Sequence, residues 1–185
     1  MVIVKSKLVK DYMKSPSISK QSLQTIYDLI VDNLQLVQIR CNECNQCGFV
    51  VHGYYDRRLK RYLKNGENSD RITILRIRCT HCGKTHAVLL SSMIPYSQLS
   101  VEDSISIIEL EHNCQMNSFL DEHYWIETDD VFNTRKKFRH YWKERLLSSR
   151  LFLHMENLTE SCIEQFRLQF MQIRCRSIFF LSSST

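Results

Sequence analysis

The chain has 185 residues, 43% of them hydrophobic, with 25 Lys/Arg against 20 Asp/Glu and a formal net charge of +5. That length suits one compact domain or two small ones, and only four Gly and two Pro argue against general disorder. No stretch nears the roughly 20 apolar residues that cross a bilayer, and Met1 to Lys5 opens no secretory core, so the expectation is a cytoplasmic protein without membrane attachment.

Eight cysteines in an unexported chain predict thiols and metal rather than a disulfide framework. Taken in chain order, residues 1–39 read as a polar N-terminal arm followed by a helix. Leu23, Ile26, Tyr27, Ile30, Val31 and Leu34 recur at helical spacing, and Ser22 can cap the start. Residues 40–91 read as a zinc ribbon, a small antiparallel sheet clamped by four cysteines. Cys44-Asn45-Gln46-Cys47-Gly48 and Cys79-Thr80-His81-Cys82-Gly83 each have the two-residue spacer that lets two thiolates reach one ion. The expected ligands are therefore Cys44, Cys47, Cys79 and Cys82, holding Zn2+. Cys41-Asn42-Glu43-Cys44 overlaps the first pair, so Cys41 is an alternative to Cys47. Gly48 after Cys47 matches Gly83 after Cys82 and favours Cys47, whereas the longer connection to the strand favours Cys41. His81 fills a spacer position and His86 opens an apolar run, which places both outside the ligand set. A four-cysteine site has no open coordination position, so this zinc is structural.

Phe49 to Tyr55 and Arg71 to Arg78 are rich in β-branched and aromatic residues, and Ala87 to Leu90 supplies a third strand. Asn65-Gly66 signals the turn between the first two, in a long loop. So small a sheet has too little apolar area to stand alone without metal. Tyr54 and Tyr55 offer rings that can stack, or can cover the core.

Residues 92–100 read as a linker and 101–185 as a helical, helix-turn-helix-like domain. Ser100 caps a first helix carrying Ile105, Ile107, Ile108 and Leu110. A short second helix spans 117–126, and Thr128, Asp129 and Asp130 start a third that runs to about Ser148. A last helix covers about 159–171. The expected fold class is thus α+β: zinc ribbon, then helices. Cys114, Cys162 and Cys175 fall in helix-like segments as small hydrophobes.

Charge is segregated along the chain. Between Arg57 and Lys84 nine Lys/Arg face two acids; from Val101 to Asp130 there are nine acids and no Lys or Arg; from Arg135 to Arg150 seven basic residues face one acid. Basic blocks suit a polyanion. The expected nucleic-acid contacts are Arg57, Arg58, Lys60 and Arg61 on the ribbon, with Arg135, Lys136, Lys137, Arg139 and Lys143 on the helix. Because the N-terminal part of that helix is acidic, these residues suit phosphates rather than bases.

His52-Gly-Tyr-Tyr-x-Arg57, Ile74-Leu-Arg-Ile-Arg-Cys-Thr-His-Cys-Gly-Lys-Thr-His-Ala-Val-Leu and Ile94-Pro-Tyr-Ser97 resemble zinc-ribbon proteins of Firmicutes mobile elements. Tyr141 to Leu147 and Gln169 to Ile173 share the likeness. Those proteins are usually described as a domain of unknown function or as transposase-like. The resemblance implies a zinc-binding, DNA-binding accessory or targeting factor of a transposable element, working beside a transposase or recombinase. The third cysteine of the first knuckle departs from the pattern. Catalysis by a transposase needs carboxylates holding two metals on an alternating α/β scaffold, and no such scaffold follows the ribbon. Asp121, Glu122, Glu127, Asp129 and Asp130 lie in helical or capping contexts. No phosphate loop or nucleophile motif is present, so the expectation is a non-enzyme without a small-molecule substrate. The alternative class is a protein-interaction adaptor docking onto a transposase or polymerase; RNA binding through the tyrosines is a third.

Overall fold

The computed structural model describes residues 1–5, 23–60, 71–110, 115–144 and 157–174. The expected turn at Asn65-Gly66, the cap at Ser22, and Arg61, Cys114 and Cys175 lie outside the described residues. The fold is α+β, and the chain divides into two compact units. One comprises 1–58, 71–96 and 170–185; the other comprises 59–70 and 97–169.

The first unit is built on a five-stranded mixed sheet in the order β2-β3-β4-β1-β5. The strands are β1 (Val2–Lys5), β2 (Phe49–Arg58), β3 (Arg71–Cys79), β4 (Thr85–Leu90) and β5 (Met171–Arg174). Strands β2, β3 and β4 form the antiparallel meander expected of the ribbon. Two further strands extend it. β1 lies parallel to both β4 and β5, with Val2 opposite Val88 and Met171. The N-terminal residues thus form an inner strand where a polar arm was expected. Val2, Ile3 and Val4 are wholly buried, as a strand covered on both faces requires. Residues 171–174 form a strand, and the last helix, expected to reach about 171, ends at Arg167.

Helix α1 (Leu23–Asp32) turns Leu23, Ile26, Tyr27 and Ile30 inward. It also completes the edge of β3 where that strand parts from β4. Pairing of the two strands runs from Arg78↔Thr85 to Arg76↔Ala87. At the next position the Tyr27 hydroxyl stands between them, accepting from the Leu75 N–H at 2.8 Å and donating to the Val88 carbonyl at 2.9 Å. One helical turn back, the Gln24 amide accepts from Thr73 N–H at 2.7 Å and donates to its carbonyl at 3.3 Å. Side chains three apart on a helix thus serve backbone groups two apart on a strand, and Tyr27 leaves the buried Leu75 N–H and Val88 C=O paired.

The second unit contains helices α2 (Val101–Glu109), α3 (Met116–Glu122), α4 (Thr128–Lys137) and α5 (Leu158–Arg167). Residues Phe138–Lys143 continue α4 with wider, π-type winding. Leu99, Ile107, Phe119, Trp125, Ile126 and Val131 form the core. Ser100 caps α2 as expected, in a capping box with Asp103. Asp103 is 3% exposed and also accepts from the Trp125 indole at 3.3 Å. The cap of α4 is Glu127, one residue before the expected Thr128, paired with Asp130 in a second capping box.

Candidate metal centre and basic sheet face

The two knuckles are built alike. In the second, Cys79 N–H donates to Lys84 C=O at 2.9 Å and Gly83 N–H donates to Cys79 C=O at 3.1 Å. In the first, Cys41 N–H donates to Gln46 C=O at 2.8 Å and Asn45 N–H donates to Cys41 C=O at 2.9 Å. Cys41 therefore corresponds to Cys79, Cys44 to Cys82, and Asn45 to Gly83. The bridge Arg40↔Cys47 likewise matches the strand pair Arg78↔Thr85.

This correspondence brings together Cys41, Cys44, Cys79 and Cys82, whose sulfurs all lie within 4.8 Å of one another. Cys41 Sγ is 3.7 Å from Cys82 Sγ, and Cys44 Sγ is 3.6 Å from Cys79 Sγ. Four sulfurs about 2.3 Å from a central ion in tetrahedral array stand about 3.8 Å apart, so the group has the spacing of a metal centre. Cys47, expected as a ligand, is outside the group. It is exposed and takes the strand-pairing place that Thr85 fills in the other knuckle. The glycine argument for Cys47 fails for a physical reason. The left-handed residue of the first knuckle is Asn45, with φ 60°, and asparagine tolerates that region.

Gly48 has a different task. Its carbonyl accepts from Thr80 N–H at 3.1 Å, tying one knuckle to the other, and a Cβ there would stand 2.9 Å from Thr80 Oγ1. Its φ of 119° closes the position to other residues as well.

Protons are unevenly held among the sulfurs. The Cys82 backbone N–H points at Cys79 and is the main reason its thiol is drawn down to about 6, against a smaller effect of burial. Cys82 is pushed up to about 12: the Lys84 N–H favours its thiolate, but burial and the thiols of Cys44, Cys79 and Cys41 outweigh it. A dication among them removes that competition by taking the place of the protons. His81 and His86 are not in the group. His86 is buried, packed edge-on against Phe49 with centroids 5.5 Å apart.

Beside the knuckles the β2–β3 ladder sorts its side chains by face. Opposed residues share a face, so Val50↔Arg78, Gly53↔Arg76, Tyr55↔Ile74 and Arg57↔Ile72 define one side. Thr85 joins it through its pairing with Arg78. On this side Ile72 and Ile74 are buried, whereas Val50, Tyr55, Arg76, Arg78 and Thr85 are exposed. Arg76 donates to Thr85 Oγ1 at 3.2 Å. Arg76 and Arg78 were not among the expected contacts, although their alternation in Leu75-Arg76-Ile77-Arg78 is the signal that puts both on one face.

The nine expected basic residues fall into different settings. The Arg57 guanidinium is turned inward, donating to the Ile94 carbonyl; burial draws its charge below the ordinary arginine range, and Tyr55 works in the other direction. Lys60 bridges Glu127 at 3.0 Å and Asp130 at 2.8 Å. Burial opposes its charge, but those two carboxylates hold its ammonium above the ordinary lysine range. Arg135 donates from Nε to Ile107 C=O at 3.1 Å and from Nη2 to Leu110 C=O, satisfying the C-terminal carbonyls of α2. Arg58, Lys136, Lys137 and Arg139 are exposed. Arg61 and the side chain of Lys143 lie outside the described residues.

Among the described residues no helix is long and apolar enough to cross a membrane. No curated protein and no solved structure matches the chain. Residues 44–122, a span that takes in three of the four clustered cysteines and begins just past Cys41, match the family described as Domain of unknown function (DUF6431).

Proposed function

We propose that this is a zinc-binding, DNA-binding protein, in which one zinc ion held by Cys41, Cys44, Cys79 and Cys82 fixes a basic sheet face against phosphates. The observation that carries the reading is the junction of the two features: Arg78 directly precedes the ligand Cys79 and shares a face with Arg76 and Val50. An all-sulfur site favours zinc over harder cations, and a filled tetrahedron leaves no position for substrate, so the ion is structural. Lys136, Lys137 and Arg139 on the exposed side of α4 and its continuation give a second phosphate contact. A ribbon and helix-turn-helix description, and an accessory or targeting role in a mobile element, are the wider form of this proposal; they rest on the resemblance of the residues.

The test is a fluorescence titration of labelled DNA across a salt series, with zinc measured on the same sample. Binding weakens with salt at a log–log slope of about −0.9 for each duplex phosphate neutralised. A flat salt response contradicts the proposal.

An adaptor reading draws on the outer edge of β2, which pairs with no strand among the described residues and exposes Val50 and Val51 at 42% and 53%. Such an edge can accept a strand from a partner. Binding to a partner protein that persists in salt, without DNA binding, selects it.

A further inference from the structure

We infer that the β2–β3 face recognises unpaired nucleotides, with Tyr55 as a stacking platform and Arg76 and Arg78 on the backbone; the inference rests on the nucleic-acid reading above. A duplex offers phosphates and groove edges but no free base faces, so a site for it needs charge and a protruding element. A single strand offers base faces as well, and these are taken by exposed rings beside a basic track.

The face has the second composition. Tyr55 lies on the same side as Arg76, Arg78 and Val50, and it retains 37% exposure. Arg57, two residues on along the same side, is turned inward with its guanidinium anchored on the Ile94 carbonyl, so Arg76 and Arg78 are the exposed cations of this face.

Along this face Ile72 and Ile74 are buried at one end, while Arg76, Arg78 and Thr85 are exposed toward the other. Acids are scarce here: within β2, β3 and β4 the only one is Asp56, which shares the opposite side with Thr73 and accepts from its hydroxyl at 3.0 Å. Charge and an exposed ring therefore point to one class of occupant, a single-stranded polyanion with aromatic bases.

The test uses the zinc-loaded full chain with labelled oligothymidylate and, in parallel, the same strand annealed to oligoadenylate. The single strand binds the tighter of the two. Tyr55→Leu keeps apolar volume but removes the ring, and weakens single-strand binding about tenfold or more while leaving duplex binding little changed. Tyr55→Phe keeps the ring and most of the affinity. Arg76→Ala with Arg78→Ala lowers binding and flattens the salt slope. Equal or tighter binding of the duplex, or indifference to Tyr55→Leu, overturns the inference while the nucleic-acid reading stands. Failure to bind either strand form overturns both. The comparison of the two DNA forms on the unaltered protein needs no variant, so a poorly folding substitution does not blunt the test.

Discussion

Asn45 and Gly83 hold the same position in the two knuckles. Their φ angles are 60° and 73°, and each N–H donates to the carbonyl of the cysteine four residues earlier. Asn45→Gly is accordingly neutral within a few tenths of a kcal/mol, or slightly favourable. Asn45→Val forces a β-branched residue into the left-handed region and costs about 1–2 kcal/mol. Denaturant unfolding of the zinc-loaded protein measures both. A harmless valine would mean that Asn45 does not shape the knuckle.

Tyr27 links α1 to two strands through one oxygen. Tyr27→Phe keeps the ring but leaves Leu75 N–H and Val88 C=O without that partner in a buried setting. The expected cost is about 1–3 kcal/mol. An unchanged urea midpoint would show that water or a strand shift replaces the hydroxyl.

Much of this was legible in the residues, and the exceptions have physical causes. β3 and the knuckles announce themselves through alternation and paired cysteines. β1 did not, because Val2-Ile3-Val4 is too short to show a period and its partners β4 and β5 lie far along the chain. β5 hid for the same reason, its four residues following directly on a helical pattern. Sequence favours Cys47 because glycine is the stronger sign of a left-handed residue, whereas asparagine in that role carries a weaker signal. Arg57, Lys60 and Arg135 read as free cations from sequence. Which carbonyl or carboxylate folds back onto a basic side chain is a tertiary fact, with no local signature.

Arg135 should act on stability and its neighbours should not. Arg135→Ala leaves the Ile107 and Leu110 carbonyls at the end of α2 without their donor, at about 1–3 kcal/mol. Lys136→Ala and Arg139→Ala, on exposed positions, stay within about 0.5 kcal/mol while reducing DNA binding. Thermal melts alongside binding titrations separate the two effects; equal destabilisation by all three would contradict the assignment.

His86 should make the fold sensitive to acid. Burial, its main perturbation, holds its imidazole below the ordinary value of 6.5. Above pH 6.5 both folded and unfolded forms are neutral and the full stability is present. As pH falls below that value the unfolded chain takes up the proton first, so stability is lost until the lowered folded value is passed. His86→Gln removes this linkage. The stability difference between the parent and that variant, followed by denaturant unfolding at constant zinc, shifts against the parent as pH drops from 6.5. A pH-independent difference would show that His86 is not buried as a neutral ring.

The most direct measurement is zinc content in two single variants, Cys41→Ser and Cys47→Ser, read by mass spectrometry under native conditions and by thiol-release titration. The account predicts that Cys47→Ser retains one zinc per chain with parental affinity, whereas Cys41→Ser loses the ion or holds it far more weakly. Retention by Cys41→Ser with loss in Cys47→Ser, or a well-folded parent that takes up no zinc, would contradict it.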